Sequence, residues 1–222
     1  MTDLTEDMLA GSQNRNFMGH PIGLSVLFLT EMWERFSYYG MRTILILYLT
    51  KYHLFGVGKA SMIYGAYAGL VYMMPIIGGY MADRYLGSRK AVTYGAILLV
   101  LGHGLMAFHG PAAYMEGGEV VRDDFYINIF FFALALIIGG VGFLKANISS
   151  IVGALYGPND PRRDGGFSIF YMGINLGSFI SMLLVGYVGE VHGWNYGFSL
   201  AGIGMLFGLL VFLWGQKYLG GR

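Results

Sequence analysis

Residues 31–42 read E-M-W-E-R-F-S-Y-Y-G-M-R and place four charges inside an otherwise apolar stretch that runs from residue 22 to residue 50. Such a stretch exceeds the roughly 20 residues that cross a bilayer as a helix. Glu31, Glu34, Arg35, Tyr38, Tyr39 and Arg42 fall at offsets 0, 3, 4, 7, 8 and 11. On a helix these offsets share one face. An unpartnered charge near the centre of a membrane helix costs at least about 2.5–3.5 kcal/mol. The stripe must therefore face other charges or water, while the rest of the helix faces apolar surroundings.

Five further apolar segments follow, at residues 61–81, 91–108, 125–152, 166–188 and 196–215. Turn and charge signals separate them, such as D-R-Y-L-G-S-R-K and Y-G-P-N-D-P-R-R-D. Composition agrees with a membrane protein. Hydrophobic residues make up 55% of the chain and charged residues 12%, against about 25% charged in soluble domains. The fold class is therefore all-α integral membrane, with six transmembrane helices. A net charge of +1 and the absence of a basic run imply no nucleic-acid partner, and the absence of Cys excludes disulfides and thiolate metal sites. No metal or organic cofactor is implied.

Charge sets the orientation. Arg15, Arg84, Arg89, Lys90, Arg162, Arg163, Lys217 and Arg222 fall on one side, and Lys51, Lys59 and Arg122 on the other. Lys and Arg accumulate in the cytoplasm, so both ends of the chain are expected inside. Residues 1–20 lack the basic start and apolar core of a signal peptide and read as a mobile cytoplasmic leader. The bundle spans 21–216, and 217–222 begin a cytoplasmic linker. The pairs Gly65/Gly69, Gly173/Gly177 and Gly204/Gly208 form G-x-x-x-G and read as close helix packing.

The fourth span adds Lys145 to the charges within lipid depth. Two readings compete for it and the α-helical stripe. One is a static ion-pair network that locks helices one and four together. The other is a charged cavity on an ion or substrate path. Arg35, Arg42 and Lys145 against Glu31 and Glu34 leave one surplus positive charge, and a proton on either acid leaves two. Such a cavity attracts a carboxylate, and attracts it more once protonated. Tyr72 and Asn175 lie within spans two and five and read as either packing groups or site groups. His53, His103, His109 and His192 read as packing or loop residues.

Three stretches resemble the proton-dependent oligopeptide transporters of the major facilitator superfamily. Residues 31–40 are similar to the family's E-x-x-E-R-F-x-Y-Y-G signature. Residues 170–178, F-Y-M-G-I-N-L-G-S, are similar to its F-Y-x-x-I-N-x-G-S motif. Residues 79–90, G-Y-M-A-D-R-Y-L-G-S-R-K, resemble the superfamily's loop between helices two and three.

The resemblance implies the N-terminal bundle of a major facilitator fold and roles at matching positions. Glu31, Glu34, Arg35 and Lys145 would couple to protons, with the acids pairing to Lys145 or Arg35. Arg35, Tyr38, Tyr39, Arg42, Tyr72, Lys145 and Asn175 would bind a di- or tripeptide. Asp83, Arg84, Arg89 and Lys90 would form a gating latch, though Asp83 and Arg84 read equally as a solvated turn. Protons are the coupling ion, and the location is the plasma membrane, in bacteria the inner membrane.

Two departures stand out. Animal members carry a His after an I-Y pair on helix two, where this chain has Gly65. Family members have at least twelve spans and this chain has six, so a C-terminal six-helix half of the same protein is an expected partner. Same-family transport of nitrate or another small anion is the nearest alternative, and a non-transporting membrane scaffold the next. Enzyme chemistry is not indicated, because no H-E-x-x-H or G-x-S-x-G occurs.

Overall fold

The computed structural model describes residues 16–220. Six long helices follow one another: α1 (Gly23–Leu47), α2 (Val57–Met81), α3 (Ser88–Ala107), α4 (Asp124–Ala154), α5 (Arg163–Val191) and α6 (Trp194–Gly215). Five of them are long and apolar enough to cross a membrane. The exception is α1, whose 25 residues include Glu31, Glu34, Arg35 and Arg42. It is nonetheless well packed, lying along α5 and α6. Each element lies within a few residues of its expected limits. Local chemistry explains two of the ends. Asp123 caps α4, its carboxylate accepting from the backbone N–H of Phe125 at 3.0 Å and of Tyr126 at 3.4 Å. Gly87, at φ +78, turns the chain into α3, a conformation that favours glycine.

The principal helix pairs are α1–α5, α1–α6, α2–α4, α3–α4 and α3–α6. Exchanging α1 with α4, α2 with α5 and α3 with α6 maps this set onto itself. That is the pairing of an inverted three-plus-three repeat, which no sequence similarity revealed. Small residues make the crossings. The α5 stripe of Gly166, Phe170, Gly173, Gly177, Ser181, Val185 and Gly189 is buried. Gly173 lies against Phe28, Gly177 against the Met32 carbonyl and Gly189 against Ile44. Partner numbers rise together, so α1 and α5 run in parallel. On α6, Gly204 lies against Phe36 and Gly208 against Trp33.

The third G-x-x-x-G pair departs from expectation. A Cβ at Gly65 or Gly69 would meet nothing within 4 Å. Both lie exposed on α2, whose buried residues are confined to the narrow stripe Ala60, Tyr67, Val71 and Gly78. The packing glycine of α2 is Gly78, where an added Cβ would sit 2.2 Å from the Gly142 carbonyl oxygen. Gly78→Ala is therefore expected to destabilise the bundle by about 1–3 kcal/mol. Gly65→Ala should be neutral or slightly stabilising. Melting of the two purified variants in one detergent checks the contrast.

Each end of the bundle is tied. At the end where the chain enters, Asn16–Phe17 pairs with His20–Pro21 as a two-residue hairpin. His20 Nδ1 shares a hydrogen bond with the Tyr156 hydroxyl at 2.9 Å, and Arg162 donates to the Gly19 carbonyl at 3.2 Å. Residues 16–20 of the expected leader are thus docked on the α4–α5 connection. Residues 1–15, with Arg15, and Arg222 lie outside the described residues.

At the far end, Tyr48 is ringed by Tyr52, His53, Phe130, Trp194 and Phe198, with centroids 4.7–6.2 Å away. Arg122 closes the cluster, donating to the carbonyls of His53 and Leu54. Burial, then the Arg122 charge, then His109 push the His53 imidazole down to about 4. Unfolded, His53 takes its proton near 6.5; folded, it does so only near 4. The folded state therefore loses stability as pH falls from 6.5 toward 4. A drop of several degrees in Tm is expected between pH 7.5 and pH 5. His53→Phe, which keeps an aromatic ring, should remove part of that drop.

Candidate functional site

The charged stripe of α1 follows from its spacing, and the structure divides it in two. Glu31, Glu34, Arg35 and Tyr38 are buried, with 1–4% of their surface exposed. Tyr39 and Arg42, further along α1, are half-buried. Arg35 Nε pairs with Glu31 Oε1 at 3.2 Å, one helical turn away. The same nitrogen makes a short ion pair with Glu34 Oε2. The guanidinium also lies over the Tyr38 ring at 5.1 Å and near Tyr39 at 6.0 Å. One cation is thus held between two carboxylates of its own helix.

Lys145 does not join this pairing. Its Nζ lies 5.0 Å from the centre of the Tyr72 ring, bridging α4 and α2. It is close enough for its charge to bear on Glu31. The reading of a static ion-pair network locking helices one and four is not what the structure contains: the ion pairs are internal to α1. The charged stripe also differs from a wholly wet chamber. Its acids are enclosed by protein, while Lys145 is half-buried and Tyr72 is 61% exposed. The site is enclosed at its acids and open at its rim.

Arg42 leaves the stripe for α2. It hydrogen-bonds the Tyr64 hydroxyl, with its guanidinium 5.5 Å from that ring. Both line an open cavity of about 520 Å³ with Tyr39, Thr43, Ser61 and Met182. Asn175 stands exposed on α5, its amide donating to the Tyr171 carbonyl one turn back at 3.0 Å. Among the described residues no hydrogen bond joins it to the α1 stripe.

The residues expected to form a latch occupy the α2–α3 connection. Asp83 and Arg84 lie in a π-helical turn, Ala82–Leu86. Asp83 and Arg89 border a cleft of about 530 Å³ that Ser88, Ser150, Ala154 and Leu219 also line. Arg84 donates to the neighbouring Tyr85 hydroxyl at 3.2 Å, and Lys90 is exposed. The four ion pairs among the described residues involve Arg35 twice, Lys51 with Glu190 and Arg162 with Asp160. None joins the Asp83, Arg84, Arg89 and Lys90 set.

Two α2 residues at the site escaped the sequence reading. Tyr64 holds Arg42. Tyr67 stacks on Tyr38 with centroids 6.5 Å apart. The available signal was their spacing: Tyr64 and Tyr67 lie three residues apart on a glycine-rich helix, which sets them on neighbouring turns of one side.

This arrangement is that of a multi-pass membrane transporter bundle of the major facilitator type. Comparison with known proteins gives the family. The POT family model matches residues 89–219. The chain is 48% identical over 207 residues to the peptide transporter YePEPT of Yersinia enterocolitica, covering 89% of this chain and 37% of that protein. It is 46% identical over 209 residues to a di-/tripeptide transporter of Lactococcus lactis subsp. cremoris, covering 91% and 39%. A crystal structure of peptide transporter POT in complex with sulfate superposes with TM-score 0.84 at 45% identity, covering 96% of this chain and 42% of that one. A mutant of that transporter in complex with alafosfalin gives TM-score 0.85, also at 45% identity and covering 97% and 42%. The chain belongs to the POT family. It spans about two-fifths of the length of the curated relatives it matches, and the family it belongs to is one of transporters rather than enzymes.

Proposed function

We propose that the full-length protein carries di- and tripeptides inward with protons, by alternating access. This bundle, residues 21–216, would rock against a second six-helix half around a shared cavity. It would sit in the plasma membrane, the inner membrane in a bacterium, with both ends of the segment cytoplasmic.

The observation that carries this reading is Arg35 held between Glu31 and Glu34, with Lys145 facing them unpaired from α4. Both acids ionised give the triad a net charge of −1. Arg42 and Lys145 bring the site to +1, and one proton brings it to +2. A proton on Glu31 or Glu34 leaves Arg35 matched one to one. The guanidinium is then freer to turn toward a peptide carboxylate, which Arg35 suits by its planar fork. Lys145 supplies a second, point-like cation for the same group. Tyr38, Tyr39, Tyr72 and Asn175 would line the rest of the peptide, while Asp83, Arg84, Arg89 and Lys90 would act on the conformational change. Names of the relatives support the peptide substrate.

Uptake of a labelled dipeptide into liposomes carrying the full-length protein tests the reading. Uptake should accumulate peptide only with the lumen alkaline, and excess nitrate should not compete. Accumulation indifferent to the gradient, or displaced by nitrate, would refute it.

A further inference from the structure

Tyr67 has no part in the charge arithmetic above, yet it sits beside the charges. It is 2% exposed, and its hydroxyl has no hydrogen-bond partner. A buried hydroxyl left unpaired is destabilising. Phenylalanine would fill the same space and stack on Tyr38 equally well, so packing does not account for the oxygen. The groups that bear on the hydroxyl come from α1: Glu34, Arg35, Tyr38 and Arg42. From α4, the other helix against α2, the charged residue at this depth is Lys145, which is engaged over Tyr72. Glu34 has a free oxygen of its own. Its Oε2 takes Arg35, while Oε1 is buried without a partner.

We propose that Tyr67 is a further positioning residue of the peptide site, whose hydroxyl takes up the Glu34 carboxylate when Arg35 turns toward the substrate. The proposal rests on the transport reading above. In the state described here, Arg35 holds Glu34 Oε2, while Glu34 Oε1 and the Tyr67 hydroxyl both stand unpaired. When Arg35 leaves for a peptide carboxylate, the buried Glu34 would lose its ion-pair partner. The Tyr67 O–H then donates to Glu34 and keeps its proton throughout, so no covalent step is involved. The unpaired hydroxyl is thus a donor held in reserve for the substrate-bound state.

Such a role acts on one state alone. Removing the hydroxyl weakens the peptide-bound form and takes no bond from the free form. Tyr67→Phe should raise the KM for dipeptide about five-fold, the weight of one hydrogen bond, with kcat within about two-fold. Its thermal stability should match or exceed that of the wild type, because the free form loses an unsatisfied group. Uptake is measured in liposomes with the full-length protein, wild type and variant side by side. An unchanged KM in Tyr67→Phe, with wild-type uptake intact, would show Tyr67 to be a packing ring and overturn the inference alone. A loss of thermal stability would also overturn it, since the hydroxyl would then serve the free form. Absence of gradient-driven uptake in the wild type would instead remove the transport reading beneath it.

Discussion

Arg35→Ala is expected to destabilise the protein by about 3–5 kcal/mol, the cost of stripping the partner from a buried ion pair. Arg35 is the one cation in ion-pair contact with both Glu31 and Glu34, and all three side chains are enclosed. Its loss leaves two buried carboxylates close together on one helix with no ion-pair partner. Either both take protons or the helix opens. The direction of rescue is specific. Adding Glu31→Gln and Glu34→Gln to Arg35→Ala should recover most of the lost stability, because no uncompensated charge remains. Thermal melting in detergent of the single and triple variants reads the difference. Transport should stay absent in both, since the group that turns toward the peptide is gone.

Lys145→Ala is expected to do the opposite: keep the fold and lose the activity. Among the described residues Lys145 makes no ion pair, and its Nζ lies over the Tyr72 ring. A cation–π contact at a part-exposed site contributes about 0.5–1 kcal/mol. Tm should therefore shift by only a few degrees. The electrostatic effect is larger. Removing one of three cations takes the site from +1 to neutral. At an effective dielectric near 20 and a separation of about 6 Å, one charge is worth about 3 kcal/mol to a bound carboxylate. That corresponds to a loss of about 100-fold in gradient-driven uptake. A scaffold would show the reverse pattern, with Lys145→Ala damaging the fold.

Much of this was legible in the sequence because membrane burial leaves strong signals. Six apolar runs gave six helices, and offsets of 0, 3, 4, 7, 8 and 11 from Glu31 placed the site residues on one face of α1. What spacing does not carry is the rotation of one helix against another. It put Glu31, Glu34 and Lys145 within reach in principle, but left open which cation the acids would choose. The i, i+4 geometry of Glu31 and Arg35 decided it, being available within α1 before any neighbour packs. The G-x-x-x-G motif failed for the same reason at Gly65 and Gly69. Two small residues permit close approach, but only the rest of the helix face determines whether a neighbour comes. On α2 that face is Ala60, Tyr67, Val71 and Gly78, and Gly78 does the packing. Tyr67 was invisible because a tyrosine in an apolar helix looks like core until its hydroxyl is found without a partner. His53 reads from sequence as a packing or loop residue, but its enclosure by Tyr48, Phe130 and Arg122 depends on distant parts of the chain meeting at one end, which spacing does not show.

At the heart of the account is a charge that a proton enlarges and a carboxylate reads. Equilibrium binding of one dipeptide and its C-terminal amide, titrated against pH on the purified full-length protein, tests it most directly. The acid should bind more tightly as pH falls from 8 to 6, while the amide should bind weakly and without that dependence. Equal pH dependence for the two would mean that the Glu31–Arg35–Glu34 cluster does not link proton to carboxylate, and the mechanism would be wrong.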